Sequence, residues 1–114
     1  MQAGATGLGA SAERIVTSKL YAPGESWTKA DAWWFTVPPT KIEGPGALVL
    51  LAERPAGGFH VLAVDRAWLR EHQSTFAFHG DCLKLFLDAT STGRFQERAG
   101  CGQDFARWHV GDTA

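Results

Sequence analysis

The clearest pattern of hydrophobic and polar positions lies between residues 47 and 65, where two apolar runs flank a turn. The first run is ALVLLAER, residues 47–54, and the second is GFHVLAVD, residues 58–65, with Pro and Gly between them. Short apolar runs that are rich in Val and Leu and bounded by Pro and Gly are typical of strands. We therefore predict an antiparallel hairpin whose two faces are both partly covered.

Two further strands are predicted before this hairpin. Residues 13–21, ERIVTSKLY, are rich in β-branched residues, and residues 32–37, AWWFTV, end at a pair of prolines. Successive side chains of a strand point to opposite faces, so Trp33 and Phe35 share one face while Trp34 lies on the other. The pattern alone does not say which of these faces meets the rest of the protein.

The pattern after the hairpin predicts a short helix and another strand pair. Asp65 precedes residues 66–73 in the position of a helix N-cap. Residues 76–78 and 82–88 then alternate as strands, with the leucines of CLKLFLD on the core side and Phe86 on the opposite side. We also predict a terminal helical turn over residues 104–109.

These elements predict an α+β fold, with a small, mainly antiparallel β-sheet of five or six strands and one or two short helices. The length of 114 residues fits one domain. Residues 1–12 are small and uncharged and bury too little to offset the cost of ordering them, so we predict a flexible tail there. Residues 13–114 would form the single α+β domain.

Charge and hydropathy restrict the classes of partner. Eleven basic and twelve acidic residues give a formal net charge of −1, whereas non-specific nucleic-acid binding usually requires a basic excess. No stretch approaches the roughly 20 apolar residues of a membrane span, and the N-terminus lacks the pattern of a secretory signal. The sequence therefore predicts a cytoplasmic protein of bacterial type without a membrane partner.

The cysteines and histidines offer one arrangement that suits zinc. His79, Cys82, Cys101 and His109 follow the pattern H-x2-C-x18-C-x7-H, which is a chemically sound donor set. The last spacing is too long for a zinc knuckle, however, and Cys82 falls on a predicted strand. We therefore predict ordinary structural thiols, no metal and no cofactor.

No catalytic residue is predicted. Cys101 lies between two glycines with Asp104 and His109 nearby, but catalytic triads are usually assembled from distant segments, and glycines more simply indicate a turn. The carboxylates are scattered among turns and strand ends without a paired spacing. The sequence leaves enzymatic activity open and leans against it.

The order of several segments resembles the distal part of restriction-endonuclease-like PD-(D/E)XK proteins. These segments are DAWWFTV, LVLLAERPAGGFHVLAVDRAWL, CLKLFLDA and RFQ, and the likeness covers about residues 13–97. The active site of that family needs an acid followed by Asp/Glu-x-Lys to hold a divalent ion. No acidic residue here has a lysine two positions later. The resemblance therefore implies a non-catalytic relative, or half of a fold completed by another chain, and it carries over no catalytic residue.

The concentration of aromatic residues between positions 25 and 39 favours a non-catalytic interaction module that self-associates as a homo-oligomer. Exposed aromatic patches usually mark a partner surface. Trp34 is predicted to serve the core, although the terminal helical turn could cover the other aromatic side chains within one chain. The predicted partner surface consists of Trp27, Trp33, Phe35 and Phe86.

A second hypothesis is a module associated with nucleic acid. Lys19, Lys29 and Lys41 flank the tryptophans, and bases stack on aromatic rings beside basic groups in single-strand binding. The near-neutral net charge and the neighbouring carboxylates count against this hypothesis.

A third hypothesis is a small-molecule binder or small enzyme. Its pocket would be lined by Trp33, Phe35 and His60, because such sheets commonly hold a pocket with a few polar groups. No spacing of residues indicates a particular reaction.

Overall fold

The structure of the protein is a computed structural model that describes residues 14–21, 31–90 and 94–113. Within these residues, eight strands form two four-stranded sheets, and one α-helix accompanies them. The predicted flexible tail at residues 1–12 lies outside the described residues. No helix in the described ranges is long and apolar enough to cross a membrane.

The strands and the helix follow one another in a simple order. They are β1 (Ile15–Ser18), β2 (Leu20–Tyr21), β3 (Ala32–Val37), β4 (Ala47–Glu53), β5 (Phe59–Asp65), α1 (Arg66–Glu71), β6 (Ala77–His79), β7 (Cys82–Asp88) and β8 (His109–Asp112). Short 3-10 turns lie at Pro39–Lys41, Gln73–Thr75 and Phe105–Trp108.

The first sheet has the strand order β1-β4-β5-β8, and the second has the order β2-β3-β7-β6. β4 and β5 form the predicted antiparallel hairpin, and β1 runs parallel to β4. The second sheet is antiparallel throughout. The predicted α+β, mainly antiparallel class is therefore confirmed. The structure differs in detail, since its strands are eight and divide into two sheets.

The predicted strand at residues 13–21 is split at Lys19, where the chain passes from the first sheet to the second. The hydroxyl of Ser18 accepts a hydrogen bond from the backbone N–H of Trp34 and donates one to the carbonyl of Lys19. The backbone N–H of Leu20 donates to the carboxylate of Glu53 at 2.8 Å. One short segment thus belongs to both sheets.

The core lies between the two sheets and corrects one prediction. Trp33 and Phe35 are 1% and 0% exposed, so the prediction that they form a partner surface is wrong. They share a face of β3 with Val37, and that face packs against the inner face of the first sheet. Trp34, which we predicted in the core, points to the outer face and is half-buried.

The turn that follows β7 is built around a buried carboxylate. Glu97 is 1% exposed, and its two oxygens accept hydrogen bonds from four backbone N–H groups at 2.9–3.0 Å. A methyl group added at Gly100 would lie 2.7 Å from backbone atoms of Thr75 and Ala77. This turn therefore packs against the start of β6 at a distance that only glycine allows. The four donors belong to Phe86, Ala99, Gly100 and Cys101.

Asp88, the last residue of β7, is bonded to the same turn through Arg98. Its Oδ1 accepts hydrogen bonds from the amide and hydroxyl of Thr90, and its Oδ2 forms a salt bridge with Arg98 at 2.9 Å. Burial alone would raise the pKa of Asp88. The hydrogen bonds from Thr90 and Arg98 and the charge of Arg98 outweigh burial and lower the pKa below its usual 3.8.

We expect this carboxylate to stabilise the fold in a pH-dependent way. Because the folded pKa is lower than the unfolded pKa, the contribution is complete above about pH 5 and is lost as the pH falls below about 4. The difference in free energy of unfolding between wild type and Asp88→Asn, measured in urea at several pH values, should shrink over that range. Asp81→Asn, at an exposed position, is the control. A difference that stays constant down to about pH 3 would contradict this.

Candidate metal centre

Two histidines and an aspartate meet where β5 pairs with β8. Nδ1 of His60 and Nε2 of His109 each donate a hydrogen bond of 2.7 Å to Oδ1 of Asp112. The three ligand-type atoms lie within 4.8 Å of one another, and no other group of this kind occurs in the described part of the chain. We call these three residues the β5–β8 cluster.

A β-bulge brings His109 and Asp112 to the same side of β8. His60 pairs with Asp112 and Leu62 pairs with His109, so β8 has one residue more than β5 over this stretch. In a regular strand, residues three apart would point to opposite faces. Val110 is the extra residue, and its side chain is 62% exposed. The bulge thus places the side chains of His109 and Asp112 on the same face of β8, a change of direction that bulges beside functional sites often produce.

Hydrogen bonds beyond Asp112 hold the end of β8 in place. Thr113 exchanges two hydrogen bonds with the backbone of Phe59, one through its N–H and one through its hydroxyl, both at 2.8 Å. The guanidinium of Arg54 donates to the carbonyl of Thr113 at 2.8 Å. The position of Asp112 therefore does not depend on the cluster alone.

Aromatic rings form the inner wall of the cluster. The ring of Phe95 lies 5.4 Å from that of His60 and 5.1 Å from that of His109, and it stacks on Trp33 at 5.4 Å. Trp33 also meets His60 edge-on at 5.6 Å. His60 is consequently buried, whereas the side chain of Asp112 is 36% exposed. The cluster has an apolar floor and opens to solvent at its carboxylate.

Phe95 adopts an unusual backbone conformation to reach this place. Its φ is +70°, a value that bulky residues rarely adopt. Hydrogen bonds from its N–H to Asp88 and from Phe105 N–H to its carbonyl hold the backbone there. Such conformations persist where the surrounding structure imposes them, often at functional sites.

The electrostatics of the cluster favour a cation. Hydrogen bonds from His109 and then from His60 lower the pKa of Asp112 to about 2. The carboxylate is therefore ionised at neutral pH and faces two imidazole nitrogens. Two imidazoles and a carboxylate are a donor set that suits zinc, iron, nickel and copper.

The cysteines do not join this site. Burial is the main cause that raises the pKa of the Cys101 thiol to about 11, so the thiol stays protonated at neutral pH. Cys82 faces His79 across the β6–β7 pair, whereas His109 lies with His60 and Asp112. The four residues of the H-x2-C-x18-C-x7-H pattern are thus not brought together.

The other residues predicted for a site are distributed over the molecule. Phe86 is half-buried on the outer face of β7, with its ring 5.2 Å from that of Trp34. The ammonium of Lys19 lies 4.8 Å from the ring of Tyr21, and that of Lys41 donates to a backbone carbonyl of β1. Trp27 and Lys29 lie outside the described residues.

The sequence pattern points to His60 and His109 only separately and does not point to Asp112. His60 and Asp112 are 52 residues apart, so no local spacing joins them. The alternation of β5 predicts on which face of the strand His60 lies. The bulge at Val110, which aligns His109 with Asp112, leaves no recognisable pattern in the sequence.

Comparison with known proteins finds no matching family model, no similar curated protein and no similar solved structure. The resemblance to restriction-endonuclease-like proteins therefore stays a prediction.

Proposed function

We propose that the protein is a binding module whose β5–β8 cluster holds a divalent transition-metal ion. The observation that carries the proposal is the convergence of two imidazole nitrogens and an ionised carboxylate within 4.8 Å. A binding role is favoured over thiol catalysis because the Cys101 thiol has a raised pKa of about 11.

The geometry of the cluster is close to that of a coordination shell. Ligands of a tetrahedral zinc ion at about 2.1 Å are separated from each other by about 3.4 Å. The two contacts at 2.7 Å would have to lengthen by less than about 1 Å, which the exposed side chain of Asp112 allows. The two imidazole nitrogens, which lie up to 4.8 Å apart, would have to approach each other by about 1.4 Å. Each ring would bind in the tautomer that leaves this nitrogen unprotonated. Three protein ligands would leave one position for water or for a donor atom of a partner.

Calorimetric titration of the metal-free protein with zinc tests this proposal. We expect one ion per chain, and a loss of at least about tenfold in affinity for His109→Ala or Asp112→Ala, since each removes one ligand. His109 and Asp112 are chosen because buried His60 also supports the core. Wild type should also gain thermal stability with zinc, by mass action.

His79→Ala is the matched control, since His79 is an exposed histidine on β6 and lies outside the cluster. It should bind zinc as wild type does. The proposal is overturned if the double variant His109→Ala/Asp112→Ala binds as tightly as wild type, or if wild type binds none of zinc, cobalt, nickel and copper.

Self-association is a second candidate function, which we propose on the outer face of the second sheet instead of the face that carries Trp33. Trp34 and Phe86 meet there edge-to-face at 5.2 Å and are both half-buried. A partly exposed aromatic pair on the outer face of a sheet supports a partner surface for a second copy of the chain.

Light scattering tests this candidate. We expect wild type to be a dimer or larger and Phe86→Lys to be a folded monomer, because a charge would be placed in the interface. Val110→Lys, at an exposed apolar position of the first sheet, is the control and should keep the wild-type mass. A wild-type monomer at about 100 μM, well above the dissociation constant of most stable dimers, would reject the candidate.

A further inference from the structure

Two tryptophans form an open aromatic pair beside α1. Trp68 lies on α1, and Trp108 ends the 3-10 turn Phe105–Trp108. Their ring centroids are 5.5 Å apart and their planes are tilted by 60°. Both side chains are half-buried, so part of each ring faces solvent. We call them the Trp68–Trp108 pair.

The surrounding rings fix this pair before any ligand arrives. Trp68 stacks on His72 at 4.6 Å and meets Phe76 and Phe105 edge-on at 6.0 and 5.7 Å. Phe76 and Phe105 are both buried in the core. A site that is already ordered loses less entropy on binding.

A cation of the chain itself already occupies the pair. The guanidinium carbon of Arg107 lies 4.8 Å from the ring centroid of Trp68 and 4.9 Å from that of Trp108. Arg107 is exposed, and in the described ranges no hydrogen bond or salt bridge holds its guanidinium. Its contact with the two ring faces is therefore the interaction that positions it.

We propose that the Trp68–Trp108 pair is a binding site for a weakly hydrated organic cation, a guanidinium or quaternary ammonium group, which displaces Arg107. Tryptophan gives the strongest cation–π attraction among the side chains, and guanidinium and quaternary ammonium groups are the cations that such sites recognise. An exposed cation–π contact changes an equilibrium constant only about two- to fivefold, so Arg107 is easily displaced. This site shares no residue with the β5–β8 cluster.

Nuclear magnetic resonance of the indole N–H groups provides the test. Wild type and Arg107→Ala are titrated with tetramethylammonium, with N-acetylarginine amide and with neutral tert-butanol. We expect both cations to shift the signals of Trp68 and Trp108, with about two- to fivefold tighter binding to Arg107→Ala, and tert-butanol to have no such effect. The tighter of the two cations identifies the class of ligand.

Two further variants distinguish binding at the Trp68–Trp108 pair from non-specific effects of the cations and from loss of folding. Arg94→Ala removes an exposed arginine elsewhere and should bind as wild type does. Arg107→Ala/Trp108→Leu should lose the cation-induced shifts while other amide signals show that it stays folded. The proposal is overturned if Arg107→Ala binds the cations no more tightly than wild type, or if tert-butanol binds as well as they do.

Discussion

Replacing Trp33 by alanine should lower the free energy of unfolding by about 3–5 kcal/mol, the usual cost of truncating a large buried aromatic side chain. The indole is 1% exposed between the two sheets and stacks on Phe95 at 5.4 Å. Its Nε1–H also donates a hydrogen bond of 2.9 Å to the carbonyl of Glu53 on β4. The substitution would therefore leave a cavity between the sheets and an unpaired carbonyl.

Urea unfolding measured by circular dichroism checks this value, and the next residue provides a matched control. Trp34→Ala removes the same side chain from the outer face of β3, where it is half-buried, and should cost about half as much or less. If Trp33→Ala kept wild-type stability and altered only the solution mass, Trp33 would belong to a partner surface after all.

Replacing Glu97 by alanine should be similarly severe, with an expected loss of about 4 kcal/mol or more in the free energy of unfolding. The carboxylate accepts hydrogen bonds from four backbone N–H groups, and the side chain is buried. Each buried donor that loses its acceptor costs roughly 1–3 kcal/mol, although the losses are not additive and water can replace some of them. The turn that packs against β6 would lose its internal support.

A second substitution separates the loss of the hydrogen-bond acceptors of Glu97 from the loss of its side-chain volume. Glu97→Gln keeps the shape but points an amide NH2 at two backbone donors, so it should lose roughly half of what alanine loses. Hydrogen exchange at the amides of Gly100 and Cys101 should accelerate in both variants. Glu43→Ala, at an exposed position, is the control. A loss below about 1 kcal/mol for Glu97→Ala, within the range of ordinary surface substitutions, would contradict the interpretation.

Local features of the fold could be predicted because the residues that determine them are neighbours in sequence. The hairpin of β4 and β5 follows from two apolar runs and a Pro-Gly turn. Asp65 caps α1 as predicted, with its Oδ1 accepting a hydrogen bond from the N–H of Ala67 at 3.1 Å. The inward leucines of β7 are all fully buried, as alternation in a strand indicates.

The orientation of β3 could not be predicted in the same way. Alternation separates Trp33 and Phe35 from Trp34, but the side that is buried depends on where the other sheet lies. That sheet contains residues far away in the sequence, and residues 13–21 did not show that the chain crosses between sheets at Lys19. The β5–β8 cluster was missed for a related reason, since it depends on a long-range strand pair and on the bulge at Val110.

The turn around Glu97 also limits how the sequence can vary. A methyl group at position 100 would lie 2.7 Å from two backbone atoms, and the four donors around Glu97 need a buried acceptor with two oxygens. Any related chain that keeps this turn should therefore keep the pattern Glu-x-x-Gly a short loop after its counterpart of β7, which here ends at Asp88. A search for distant relatives can use that pattern together with strand alternation, because steric and hydrogen-bonding constraints persist after overall sequence identity is lost.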